Sequence, residues 1–245
     1  MRRPGLIVAL LALAFGASCG DDGPRGNVNT IVLITLDTLR RDHVSAYAPE
    51  SVAIPMPQTK ALDELASAGL RFDDARTPVP LTLPAHATML TGLPPAATGV
   101  RLNTYGRLAP RTERGFPLLQ EALRDAGWRT AAFVSADALN ARYGLDQGFD
   151  VYDFEPSKDT RRRKTTLPER RGDETIRRAL THVSERKPDD KLFLRVHHFE
   201  PHAPYDTDGT YGGDVEAASR LVGELLAGLG KHGRRENAAI LLCSD

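Results

Sequence analysis

Residues 28–37 read VNTIVLITLD, a nearly unbroken apolar and β-branched run that stops at an acid. A strand with water on one face alternates apolar and polar residues. A continuous run is what a strand buried on both faces requires, as in a parallel sheet covered by helices. Three more segments read the same way: RTAAFVS at 129–135, KLFLRVHHF at 191–199 and AAILLCS at 238–244. Between them lie helical patterns. One covers 59–68, where Leu62, Leu65 and Ala66 keep helix spacing and Gly69 is the stop. Others cover 83–91, 172–186 and roughly 214–229, and one spans 117–126 with Pro117 at its start and Gly127 at its end. Strands alternating with helices predict an α/β fold, a mostly parallel sheet sandwiched between helices.

The length, 245 residues, allows one large α/β domain or two small ones, and 41% hydrophobic with 26% charged residues is ordinary for a globular chain. The 32 basic and 32 acidic residues balance, which argues against nucleic acid as a partner. Arg2 and Arg3 precede an apolar run from Leu6 to Ala17, too short to span a bilayer comfortably and suited to a signal peptide over residues 1–18. Small residues then lead into Cys19. The pattern resembles a bacterial lipoprotein signal, with Cys19 as the lipidated first residue of the mature chain; an ordinary cleaved signal is the alternative. Residues 19–27 read as a tether and 28–245 as the folded domain. Cys19 and Cys243 are the only cysteines, so no disulfide framework can form. Residues 156–171, rich in arginine but without interleaved aromatics, read as a solvated loop.

In parallel sheets ligands gather at the carboxyl ends of the strands. Three such ends are polar here: Asp37, the His197–His202 stretch and Asp245. Two carboxylates brought together repel unless a cation lies between them, so Asp37 and Asp245 are candidate metal ligands; capping of the following helix or turn is the equal alternative. Thr82 opens the helical segment TLPAHATMLTG (82–92). A hydroxyl there lies beside unpaired backbone N–H groups and the positive end of the helix dipole, a place for oxyanions, although threonine is also a common N-cap. His86 stands one helical turn further on. In HHFEPHAPY (197–205), Pro201 forbids a helical metal pair of His198 and His202, and the two prolines stiffen a loop around His202. A fixed imidazole there can bind an anion or protonate a leaving group. His197 and His198 alternate across their strand, so one of them packs inward with no functional role.

Taken together these segments resemble the sulfatases of the alkaline phosphatase superfamily. The matching pieces are NTIVLITLDTLRRD (29–42), LDELASAGLRFDDA (62–75), TLPAHATMLTG (82–92), GLDQGFDVYD (144–153), HHFEPHAPY (197–205) and the closing LLCSD. The resemblance implies an alkaline-phosphatase-like core and an ester hydrolase acting on sulfuric or phosphoric esters of small molecules or glycans. It makes Asp37 and Asp245 metal ligands, Thr82 the nucleophile and a ligand, and His202 the anion-binding or acid histidine. Asn103, His86 and Arg142 become candidate substrate contacts. One divalent cation is implied, Ca²⁺, Mg²⁺ or Mn²⁺, with Zn²⁺ if a histidine completes the set. The lipoprotein-type leader implies export and a lipid anchor on the periplasmic side of a bacterial envelope.

The departures carry chemical weight. Thr38 stands where the family has a second acid, and Thr82-Leu-Pro-Ala-His86 replaces the family's Cys or Ser, X, Pro, Ser or Ala, Arg. Threonine cannot give the formylglycine aldehyde, so no formylglycine is expected. Thr82 can instead form a covalent ester that water must hydrolyse, as in phosphate-cleaving branches of the superfamily. The family's next basic motif is replaced by SADALNARYG (135–144), where Arg142 is the substitute, and the family's sequence continues beyond the position of Asp245. These departures leave two alternatives: an inactive, truncated or degenerate binding domain, and an envelope transferase of phospho-groups.

Overall fold

A computed structural model describes residues 28–47, 56–156 and 169–245. The signal peptide, Cys19, the tether and most of the arginine-rich stretch lie outside the described residues. Five strands, β1 (Thr30–Leu36), β2 (Arg129–Phe133), β3 (Val151–Asp153), β4 (Leu192–His198) and β5 (Ala238–Ser244), form one sheet in the order β3-β2-β4-β1-β5. Every neighbouring pair is parallel. The helices are α1 (Lys60–Ala68), α2 (Thr82–Thr91), the short α3 (Pro95–Thr98) and α4 (Arg111–Arg114), α5 (Leu119–Asp125), α6 (Gly172–Ser184) and α7 (Tyr211–Lys231).

The alternation of side chains along β1 builds two cores. Val32, Ile34 and Leu36 point to one face, against Leu62 of α1, Ile176 and Val183 of α6 and Leu221 and Leu225 of α7. Leu33 points to the other, against Leu83, Ala87 and Leu90 of α2 and Leu118 at the start of α5. The predicted sandwich is therefore present, with each predicted strand found within its expected range. β3 was not anticipated: its three half-buried residues at the sheet edge are too few to show a period. Among the described residues, no helix is long and apolar enough to cross a membrane.

The solvated-loop reading of 156–171 is corrected at its end. Arg170 is fully buried, paired with the Asp153 carboxylate, and its Nε donates to Thr175 Oγ1 at 2.9 Å. A guanidinium in the interior must be matched in this way.

One glycine is sterically required. Gly148 has φ +86°, and a Cβ there would lie 2.9 Å from the Glu121 amide nitrogen and closer still to Cγ of that residue. Glu121 cannot yield, because its Oε2 accepts from Leu118 N at 2.8 Å and Arg114 Nη2 at 2.5 Å. Gly148→Ala should lower unfolding free energy by about 3 kcal/mol in equilibrium denaturation. A loss under about 1 kcal/mol would show that the turn relaxes freely.

Candidate active site

The register decides what meets at the carboxyl edge. Thr35 of β1 stands beside His197 of β4 and Cys243 of β5, and Asp37 and Asp245 follow one pleat later on the same face. That face is covered by α2. Asp37 is 1% exposed and anchored by its amide, which donates to His198 O at 3.0 Å. Thr82 is the first residue of α2, and Leu81, not Thr82, holds the N-cap position with no side-chain bond. The capping account of Thr82 therefore fails; its hydroxyl instead lies beside the carboxylates of Asp37 and Asp245 and favours the charged form of each.

Electrostatics mark the same spot. Burial raises the Asp37 carboxyl to about 7, opposed by the charge of His202 and by the Thr82 hydroxyl. Asp245 is raised as well, by burial and then by the neighbouring Asp37 charge. Burial drives His197 down to about 3, so its imidazole is neutral, and its Nε2 lies 3.6 Å from Asp37 Oδ2. Asp37 Oδ1, Asp245 Oδ2 and both nitrogens of His197 are buried without hydrogen-bond partners among the described residues. Orphaned acceptors of this kind are expensive unless something fills the space between them. Two carboxylate oxygens, a hydroxyl and a neutral imidazole fit a divalent cation.

His86, His197 and Asp245 also hold donor atoms within 4.8 Å of one another. The chemistry of His86 argues against ligation. Its Nδ1 lies 2.8 Å from the Thr82 carbonyl, which can only accept, so Nδ1 carries the proton. Its Nε2 then accepts from Thr35 Oγ1 at 3.1 Å. Both nitrogens are spent, and the ring is fully buried. His86, expected as a substrate contact, thus has both ring nitrogens engaged within the protein, joining the start of α2 to β1.

The other predicted residues divide. His202 stacks on Phe199 with ring centroids 4.5 Å apart, and its Nδ1 donates to Ala203 O at 2.6 Å, leaving Nε2 as the nitrogen that can exchange a proton with a ligand. Asn103 Oδ1 accepts from Leu83 N at 2.9 Å, so it satisfies the first turn of α2. Pro84 has no N–H, and the Thr82 amide makes no hydrogen bond among the described residues, which leaves it as the donor for an oxyanion. Arg142 is engaged by the Asp137 carboxylate and by Tyr143 Oη at 3.0 Å. It is not brought into the acid–hydroxyl cluster.

Two groups were missed by sequence reasoning. His197 belongs to the cluster, while His198 faces the opposite core beside Gly172 and Leu221. The alternation was legible; which of the pair faced α2 was not. Arg195 lies on the His197 face one pleat below, fully buried, with the Tyr152 hydroxyl as its polar neighbour. An arginine inside an apolar strand was the available signal.

Fold and site together define an α/β protein with a hydroxyl, two carboxylates and an imidazole gathered at the carboxyl edge of a parallel sheet. A family model for sulfatases matches residues 29–245, and the chain belongs to the sulfatase family. Human arylsulfatase A is 36% identical over 126 residues, 49% of this chain and 22% of that enzyme. The Delta 4,5-hexuronate-2-O-sulfatase of Bacteroides thetaiotaomicron is 27% identical over 129 residues, 53% of this chain and 26% of that protein. Among solved structures, the phosphonate monoester hydrolase of Agrobacterium radiobacter superposes with a TM-score of 0.67 at 18% identity, covering 90% of this chain and 62% of its own. The matches thus span about a quarter or less of these curated relatives and under two thirds of the solved chain.

Proposed function

We propose that this chain carries the nucleophile of a metal-dependent ester hydrolase that cleaves sulfate esters through a covalent intermediate on Thr82. The observation that carries the reading is the Thr82 hydroxyl at a helix start, beside two buried acids that follow separate strands. Membership in the sulfatase family and the names of the relatives, an arylsulfatase and a hexuronate 2-O-sulfatase, support sulfate on an aryl or sugar alcohol as the substrate class.

Asp37, Asp245 and Thr82 would hold the cation, with His197 beside them; when bound it offsets the charge of the transferred group and eases loss of the Thr82 proton. The residues of the chain do the rest. The carboxylates orient Thr82 Oγ1 and take its hydrogen bond. Asp37 takes the Thr82 proton as Thr82 Oγ1 bonds to the sulfur and the bond to the alcohol oxygen breaks, and His202 Nε2 hands that oxygen a proton. The Thr82 N–H donates to an oxygen of the transferred group. Water then attacks the ester and gives a proton to His202 Nε2, while Asp37 returns its proton to Thr82 Oγ1 as the oxygen–sulfur bond breaks.

A second reading, phosphate monoesters, is favoured by the identity of residue 82. The formylglycine route releases sulfate by elimination and is closed to threonine, whereas a threonine ester of phosphate is hydrolysed directly by water. The leader at residues 1–18 would direct export, and lipidation of Cys19 would hold the enzyme on the periplasmic side of a bacterial envelope.

Trapping separates the readings. Acid quenching during turnover of an aryl sulfate or aryl phosphate, followed by peptide mass analysis, should show a sulfo or phospho adduct on the peptide containing Thr82. An unmodified peptide with both substrates, under conditions of steady turnover, would rule out the covalent route.

A further inference from the structure

Among the described residues, Thr38 is the only non-glycine residue with positive φ, at +56°. It follows Asp37 directly. The left-handed region is unfavourable for a β-branched side chain, so the surroundings must hold the residue there. Three bonds do so. Thr38 N donates to Asp245 Oδ1 at 3.2 Å, Tyr211 Oη donates to Thr38 O at 2.9 Å, and Arg40 N donates to Tyr211 Oη at 2.7 Å.

We propose that Tyr211 is a positioning residue: its hydroxyl clamps the strained turn at 38–40 and so sets the spacing of Asp37 and Asp245 before any cation arrives. This extends the metal-centre reading above and rests on it for its functional consequence, though not for the clamp.

The chain of causes is local. Tyr211 is the first residue of α7, whose start is fixed by Thr210 Oγ1 accepting from Gly213 N at 3.0 Å. The body of α7 is anchored by Leu221, Val222 and Leu225 in the core. The ring is held at its sides by His43, with centroids 4.8 Å apart, and by Tyr205 at 5.7 Å. A rigid helix therefore presents one hydroxyl that accepts from one end of the turn and donates to the other. Without it the 38–39 carbonyl has lost its donor, and Thr38 can relax to negative φ. That rotation releases the chain after Thr38 from α7, and the freed 37–38 peptide plane can then tilt, which loosens the Thr38 N–H from Asp245 and lets the Asp37 side chain drift from Thr82. The strain is kept where it preorganises ligands.

The test uses four proteins: wild type, Tyr211→Phe, Thr38→Gly and the double variant. Phenylalanine keeps the ring contacts and removes only the hydroxyl; glycine removes the steric penalty of the left-handed turn. Two measurements are made. Hydrogen exchange of the Thr38 amide should be about tenfold faster or more in Tyr211→Phe than in wild type. Calorimetry with Mn²⁺ and Ca²⁺ should show affinity about tenfold weaker in Tyr211→Phe and recovered to within about twofold in the double variant. Unchanged exchange at Thr38 overturns the clamp. Faster exchange with unchanged cation affinity, or a double variant as weak as Tyr211→Phe, overturns its positioning role. If wild type binds neither cation while Tyr211→Phe still loosens Thr38, the metal-centre reading falls and the clamp stands.

Discussion

Thr82→Ala should reduce turnover of aryl sulfates and aryl phosphates by about 10⁵-fold, the scale on which loss of a nucleophile is felt. Stability should move little. Thr82 is not the cap of α2, so the change removes no cap bond, and alanine is a better helix former than threonine. The lost interaction of the hydroxyl with the neighbouring carboxylates offsets that gain by about 1 kcal/mol. Thr82→Ser keeps the oxygen and should stay within about tenfold of wild type. Initial rates on both substrates, with thermal unfolding as a control, check the pair. A well-folded alanine variant within tenfold of wild type would remove Thr82 from the chemistry.

The second large effect sets stability against metal affinity. Asp37→Asn should weaken divalent-cation binding by at least about 100-fold, since it removes a charged ligand from an oxygen site. The same change should stabilise the metal-free protein. The Asp37 carboxyl is raised from 3.8 to about 7 by burial. Between those values the folded protein holds a proton that the unfolded chain has released, so the contribution of Asp37 to stability falls as pH rises through that window. Asparagine does not titrate. The difference between variant and wild type should therefore be near nil at pH 4, grow up to pH 7 and then level off at a few kcal/mol. Taking the difference removes the opposing slope from His197 and His198, buried neutral imidazoles that lose stability as pH falls. Guanidinium unfolding with a chelator at several pH values gives the curve. A pH-independent difference, or one favouring aspartate near neutrality, would show that Asp37 is already paired.

Both effects share a cause. The acids are held close and dry without a full set of partners, an arrangement that lowers stability and suits a cation.

How far the sequence reached can be judged from single residues. VNTIVLITL needed no homologue to be read as a strand buried on both faces, and its stop at Asp37 pointed to the correct sheet edge. Thr82 was open to two accounts, because a helix start looks the same whether its hydroxyl caps the helix or faces a ligand. His86 was assigned to substrate by nearness in sequence; its tautomer, set by Thr35 and the Thr82 carbonyl, depends on a strand 51 residues away. Arg142 looked like a substitute base by position, but Asp137 claims it.

Strand, helix and the side-chain period of two are local properties, set by which atoms neighbour each other along the chain, and the amino-acid order alone determined them. Facing is a property of the register between segments more than a hundred residues apart. Only the tertiary structure could select His197 over His198, aim the Thr82 hydroxyl at two carboxylates, and hold Thr38 in a conformation its own side chain disfavours. A strained or desolvated group persists only where distant parts of the fold outweigh its local preference.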